Sequence, residues 1–212
     1  MSRMRNDEAV IDEWIKGGEA FVFYREPGER VCHGIRAARS SLQSFEVFPS
    51  NDGKTGFVFA PFRFGEGHPL WLLPLEEEIE VGISRAVCFD EVEAPAPMPF
   101  CGRLEEQPSK EYREAFRAFS GALRAGDFQK LVLSRGCTDA FPHGFSWARA
   151  FTAACRRYVH SYVYLFHTPQ TGFWLGATPE VLLAGGKGEY RTVALAGTQF
   201  LQEGKLTTPW SE

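Results

Sequence analysis

The spacing of apolar residues along the chain predicts a mixture of amphipathic helices and short strands. Apolar positions recur at helical spacing in residues 7–16, 109–125 and 145–158. The predicted buried faces of the first and last of these helices are Val10, Ile11, Trp14 and Ile15, and Trp147, Phe151, Ala154 and Tyr158. Elsewhere, short apolar runs are bounded by Gly, Pro, Asn and Asp, which is typical of strands joined by turns. Residues 20–25 and 30–35 flank the turn "EPGE" and predict a hairpin, and residues 173–184 and 190–198 predict two strands joined by the glycine turn "GGKGE". The order is strand-rich, then helix, strand, helix, strand, strand, and it differs from the alternation of a parallel β–α wrap. We therefore predict an α+β fold, a layered α/β sandwich with large, mainly antiparallel sheets.

The helix predicted near residue 110 has recognisable ends. Ser109 is a favourable N-cap residue, and Gly126 follows the last apolar position, as expected of a helix C-terminus. The recurrent apolar face predicts that this helix packs against a core. Its members are Tyr112, Phe116, Phe119 and Leu123.

Composition divides the chain into three segments. Residues 1–90 are strand-rich, and His33 and His68 within them are isolated histidines that we interpret as structural or exposed. Residues 91–108 are rich in proline and glutamate, and the prolines disfavour both helix and sheet, so we predict a connector there. Residues 109–212 contain the candidate chemistry.

Charge and cysteine usage exclude several classes of function. The net charge is −4 without a basic tract, so we expect no nucleic-acid partner. The five cysteines are dispersed without C-x-x-C spacing, and no apolar segment has the length of a membrane span. We predict a soluble, cytoplasmic protein with reduced thiols. Phosphate-loop, structural-zinc and G-x-S-x-G hydrolase motifs are absent from the sequence.

Three segments place polar or small residues within apolar runs. Lys130 precedes Leu131–Leu133 in a predicted strand, Glu180 lies in "GATPEVLL", and residues 194–198 read "ALAGT". An exposed edge or a turn accounts for each segment taken alone. Two oppositely ionisable groups on neighbouring strands beside a glycine would instead form an acid–base site.

In this order, the three segments resemble the chorismate-utilising enzymes, which include isochorismate synthases, salicylate synthases and the large subunits of anthranilate and aminodeoxychorismate synthase. The resemblance rests on "GDFQKLVLSR", "FWLGATPEVLL" and "VALAGTQ", and it covers about residues 110–212. It implies an anthranilate synthase component I-like fold, incomplete in this chain, with chorismate as a small-molecule substrate.

The resemblance also implies roles for four residues. Ammonia-using members carry glutamine where this sequence has Lys130, and members that add water carry lysine. By resemblance Lys130 is the general base of an isochorismate synthase and Glu180 is the general acid, while Gly197 and Thr198 contact the substrate. Partial burial beside aliphatic residues would favour the uncharged forms of the base and the acid.

The family's metal site is not found in this sequence by resemblance. Its magnesium-ligating glutamates and a carboxylate-binding arginine are expected beyond Glu212, so we expect Mg²⁺ as the cofactor with no ligand in residues 1–212. We further expect residues 1–212 alone to be inactive, and either to self-associate or to require the missing C-terminal part in order to fold fully. The product would feed menaquinone or siderophore biosynthesis. Salicylate synthase, another chorismate-utilising enzyme and a non-catalytic chorismate-binding or interaction module remain alternatives.

Overall fold

The structure is a computed structural model. It describes residues 7–47, 53, 55–82, 109–134, 136, 138, 140–186, 188–193, 195, 201–202 and 205–206. Its helices are α1 (Asp7–Gly17), α2 (Lys110–Ala125) and α3 (Trp147–Arg157), with one 3-10 turn at Arg39–Ser41. Its first strands are β1 (Ala20–Arg25), β2 (Val31–Ala37), β3 (Gln43–Phe45), β4 (Gly56–Phe59), β5 (Leu70–Pro74) and β6 (Glu77–Gly82). The later strands are β7 (Tyr162–Thr168), β8 (Gly172–Thr178), β9 (Ala184–Gly186), β10 (Glu189–Arg191), β11 (Leu201–Gln202) and β12 (Lys205–Leu206).

A five-stranded antiparallel sheet forms the centre of the larger compact unit. Its strand order is β6-β2-β1-β7-β8, so strands from both halves of the sequence share one sheet. The predicted hairpin of β1 and β2 is confirmed, with Phe23 opposite Gly34. A second antiparallel sheet has the order β3-β5-β4, and β9–β10 and β11–β12 are short two-stranded ladders.

The central sheet is covered on both faces. Against one face pack α1 and α3, which bury an apolar cluster that includes Trp14, Phe23 and Phe151. Against the other face packs the three-stranded sheet, with Leu73 and Phe166 buried between the layers. This layering arises from the period of the sequence, because alternate residues of a central strand face opposite layers. The predicted α+β class, with mainly antiparallel sheets in a layered sandwich, is confirmed.

The chain forms two compact units. One contains Met1–Ala86 and Ser146–Glu212, and the other contains Val87–Phe145. The domain boundaries predicted at residues 90 and 108 fall at residues outside the described part of the chain, and they stay a prediction. Within the described residues, no helix combines the length and the apolar character needed to cross a bilayer.

The helix α2 confirms its predicted ends but not its predicted burial. The Ser109 hydroxyl accepts a hydrogen bond from the Tyr112 N–H at 3.2 Å, and Gly126 adopts φ 79° at the C-cap. None of the described α2 residues is buried, and Phe116 is 55% exposed. The predicted burial of the aromatic stripe is therefore wrong. Helix capping depends on the local sequence, whereas burial depends on which other elements pack against the helix, and an apolar face alone does not determine these.

Candidate active site

The Glu180 segment begins where strand β8 ends. This strand stops at Thr178, and Pro179, which has no N–H to donate to a ladder, follows it. The Thr178 hydroxyl then accepts a hydrogen bond from the Glu180 N–H at 3.2 Å. A hydroxyl that bonds to the N–H two residues later forms a compact turn. This turn fixes the main chain at Glu180 immediately beyond the sheet.

The Glu180 carboxylate is held against the start of the "ALAGT" segment. Its Oε1 accepts a hydrogen bond from the Leu195 N–H at 3.1 Å. The adjoining backbone is held in the same way, because the Val193 N–H donates to the Val181 carbonyl at 2.8 Å. The Thr192 hydroxyl also donates to the Leu182 carbonyl, at 2.7 Å. Two of the three segments singled out in the sequence are therefore adjacent in the fold.

A short hairpin brings these two segments together. Strands β9 and β10 pair antiparallel, with Ala184 opposite Arg191, and the predicted glycine turn lies between them. At Gly185 the backbone has φ +153°, and a Cβ there would lie 2.0 Å from the Glu189 carbonyl oxygen. Only glycine fits such a close approach. The hairpin returns the chain beside Glu180 and so determines which backbone N–H its carboxylate meets.

Sequence reasoning missed the residues that position Glu180. Thr178 and Leu195 act through a hydroxyl and a backbone N–H, and neither was a candidate. A usable signal exists for Thr178, since a threonine hydroxyl at the end of a strand can bond to the backbone two residues later and form a side-chain turn. No sequence pattern marks Leu195, because its contribution comes from the main chain.

The structure corrects the predicted setting of Glu180. The sequence predicts a strand over residues 173–184, but β8 ends at Thr178 and Glu180 is exposed. The predicted burial beside the aliphatic run is wrong as well, since Leu182 is 89% exposed. The physical reason is the break in the ladder at Pro179, which removes this run from the sheet.

The setting of Lys130 is also corrected. Residues 128–134 belong to no strand, and the Lys130 side chain is exposed. The predicted alternation survives in weaker form, because Leu131 and Leu133 are half-buried while Val132 is 73% exposed. A strand needs a partner ladder as well as an alternating pattern, and the described residues provide none here. Lys130 lies in the smaller compact unit and Glu180 in the larger one.

The other two predicted contacts cannot be placed. Gly197 and Thr198 lie outside the described residues, so their roles stay predictions. The nearest described position is Leu195, whose N–H binds Glu180.

The described residues do not fit a Mg²⁺ ion. Such an ion requires several oxygen ligands, usually including carboxylates. Within the described part of the chain, no group of three or more His, Cys, Asp and Glu side chains is arranged to hold a metal. Mg²⁺ stays a prediction, and no chemical step is assigned to it below.

Comparison with known proteins identifies the family. Residues 78–206, more than half of the chain, match the family described as "Chorismate binding enzyme". The chain belongs to the chorismate-binding enzyme family. The matched region starts within β6 and contains both Lys130 and Glu180. No curated protein and no solved structure matched the chain. Membership supports a chorismate-utilising enzyme with chorismate as its substrate.

Proposed function

We propose that this chorismate-binding enzyme is an isochorismate synthase. It would add water at C2 of chorismate and expel the C4 hydroxyl, with a shift of the ring double bonds. The observation that carries the proposal is a lysine at residue 130 of "GDFQKLVLS", within a chain whose family is established. An amine can take a proton from an attacking water, whereas the amide of glutamine cannot.

Lys130 and Glu180 divide the proton transfers between them. The neutral amine of Lys130 accepts a proton from the water that attacks C2. Protonated Glu180 donates to the C4 hydroxyl, which leaves as water, so one water enters and one leaves. The two residues then return to their starting forms by proton exchange with solvent. Gly197 and Thr198 would contact the substrate through a backbone group and a hydroxyl.

The contacts of Glu180 support a fixed position for its carboxyl group. Because Oε1 accepts the Leu195 N–H, the proton to be transferred belongs on Oε2. The Thr178 turn and the Leu195 bond restrain the residue from both sides, and a restrained donor loses less entropy on reaction. In the described structure both side chains are exposed, and we expect bound chorismate to shield them from water.

The test uses the full-length natural protein that contains this sequence. Incubated with chorismate and Mg²⁺, it should form isochorismate, followed by chromatography. Lys130→Ala and Glu180→Gln should each lower kcat at least about a hundredfold, with a much smaller change in KM. Lys110→Ala and Glu189→Gln are matched controls, because both are exposed side chains outside the proposed chemistry.

Each other outcome has a defined meaning. Near-wild-type turnover in Lys130→Ala or Glu180→Gln would remove that residue from its role. Salicylate with pyruvate as the final products would identify a salicylate synthase. Chorismate binding without conversion would identify a non-catalytic binding module.

A further inference from the structure

Two buried thiols lie in contact between a helix and the central sheet. The Sγ atoms of Cys32 on β2 and Cys155 on α3 are 3.9 Å apart. Neither residue is in a disulfide, and they are 4% and 2% exposed. The cysteines are dispersed along the sequence, but folding brings together two that are 123 residues apart. Neither belongs to the proposed chorismate site.

A buried cation distinguishes this pair from an ordinary core contact. Arg25, on β1, is 1% exposed. Tyr24 pairs with His33 across the β1–β2 ladder, so the residues next to them, Arg25 and Cys32, are adjacent on the two strands. The Arg25 guanidinium donates to four main-chain carbonyls. Within the described part of the chain it forms no salt bridge with a carboxylate. Its positive charge is therefore not neutralised by an acidic side chain there.

This environment favours a thiolate at Cys155. The hydrogen bond from Cys32 lowers the pKa of the Cys155 thiol most, and the charges of Arg25 and Arg156 lower it further, against the opposing effect of burial. A thiol beside arginines with a second thiol in contact has the electrostatic features of a reactive cysteine pair. It differs from most such pairs in its burial, which restricts the access of oxidants.

We propose that Cys155 and Cys32 form a redox-active dithiol that reacts with small hydroperoxides and closes into a disulfide between α3 and β2. The Cys155 thiolate attacks the terminal peroxide oxygen, the O–O bond breaks, and the departing oxygen takes a proton, which gives water from hydrogen peroxide or an alcohol from an alkyl hydroperoxide. Cys32 then attacks the sulfur of the Cys155 sulfenic acid. The S–O bond breaks, the S–S bond forms, and water leaves. Two thiols are oxidised and one hydroperoxide is reduced.

The geometry limits the oxidant and makes closure feasible. Because the two residues are only 4% and 2% exposed, oxidation requires local opening of the structure, and a small hydroperoxide needs less opening than a bulky disulfide. Closure requires the sulfur atoms to approach from 3.9 Å to about 2.0 Å, which side-chain rotation can provide in part. The proposal does not depend on the proposed isomerase activity.

Peptide mapping tests the proposal directly. The native protein is treated with hydrogen peroxide, quenched with catalase, alkylated with N-ethylmaleimide in denaturant and digested with trypsin without reduction. Trypsin releases "VCHGIR" (31–36) and "AFTAACR" (150–156), each with one cysteine. We expect these two peptides linked through a disulfide, and separated again by dithiothreitol. Recovery of both as alkylated monomers would overturn the proposal, and the wild-type protein decides this point by itself.

Single variants test the order of the steps. In Cys32→Ser the reaction should stop at a Cys155 sulfenic acid, which dimedone traps. In Cys155→Ser, dimedone should label Cys32 at least about tenfold more slowly than it labels Cys155 in Cys32→Ser, because Cys32 lacks the stabilised thiolate. Equal labelling rates in the two variants, with the fold verified by circular dichroism, would contradict the assignment of Cys155 as the attacking thiol.

Discussion

Replacement of Arg25 should destabilise the larger unit more than any exposed arginine would. The guanidinium donates to the carbonyls of Tyr158, Val159 and Ser161, at 2.6, 2.9 and 2.9 Å. These carbonyls follow the C-terminus of α3, where the helix leaves its last acceptors unsatisfied and the macrodipole favours a cation. Arg25 therefore attaches the end of α3 to β1.

The magnitude follows from the groups left behind. In Arg25→Met the apolar stem is retained, but the three carbonyls lose their donor, at about 1–3 kcal/mol each. Two effects oppose this loss, because a buried charge is removed and water can reach part of the exposed loop. We expect a net loss of about 3–5 kcal/mol in the free energy of unfolding, and about 10 °C in Tm. Arg25→Lys keeps the charge but can form fewer hydrogen bonds at the same time, so its free energy of unfolding should lie between those of the wild type and Arg25→Met.

Urea unfolding, monitored by tryptophan fluorescence, measures this loss. Trp14 reports on the relevant core, because it packs on Phe23 with ring centroids 4.6 Å apart. Arg39→Met is the matched control: its Nε also donates to a main-chain carbonyl, that of Gly18 at 2.6 Å, but the residue is exposed. We expect a loss of at most about 1 kcal/mol in that control. A similar small loss in Arg25→Met would refute the reasoning.

Three further predictions concern packing, pH and substrate. Gly34→Ala should lower the free energy of unfolding by about 1–3 kcal/mol, because the added Cβ would lie 2.7 Å from the Phe23 ring. Gly82→Ala is the control, because a Cβ there has no neighbour within 4 Å. Equal stabilities of the two variants in urea titrations would contradict this. Burial lowers the pKa of His167 below 6.5, so stability should fall as pH drops below about 6.5, where the unfolded chain binds the proton first. His167→Asn can still donate to the Glu19 carbonyl, and it should show a weaker pH slope; parallel slopes would count against the account. Ammonium salts added with chorismate should yield no amino product, and anthranilate by chromatography would favour the ammonia-using branch.

The sequence predicted the elements whose signals are local. In α1 the apolar spacing predicted the buried face correctly, and Val10, Ile11 and Trp14 are all nearly inaccessible. Ser109 caps the start of α2 and Gly126 its end, as predicted, because caps depend on residues within one turn. The hairpin β1–β2 follows from two short, strand-like apolar runs on either side of a Pro-Gly turn.

The errors arose where the outcome depends on distant partners. The alternating pattern after Lys130 does not form a described strand, because alternation determines faces and not pairing. In α3, Phe151 is buried as predicted, but Tyr158 is 51% exposed at its C-cap, where the helix already departs from its face. The contact between Cys32 and Cys155 was not predictable either, because the two residues are 123 positions apart and no local pattern indicates that their strand and helix pack together.

In the candidate site, too, some features were predictable from the sequence and others were not. The "ALAGT" and Glu180 segments were predicted to be neighbours, and the Leu195 bond to Glu180 confirms that adjacency. The break at Pro179 was readable from the sequence, but the adjoining aliphatic run suggested a continuous strand. The exposure of Glu180 follows from that break.

The central claim is that water is the nucleophile of this chorismate-binding enzyme, with Lys130 as its base. The most direct test incubates the full-length natural protein with chorismate, Mg²⁺ and ammonium in water enriched in heavy oxygen, and analyses the product by mass spectrometry. The account predicts isochorismate with one heavy oxygen in its C2 hydroxyl, and loss of this product in Lys130→Ala. An amino-substituted product, or isochorismate without the label, would contradict it.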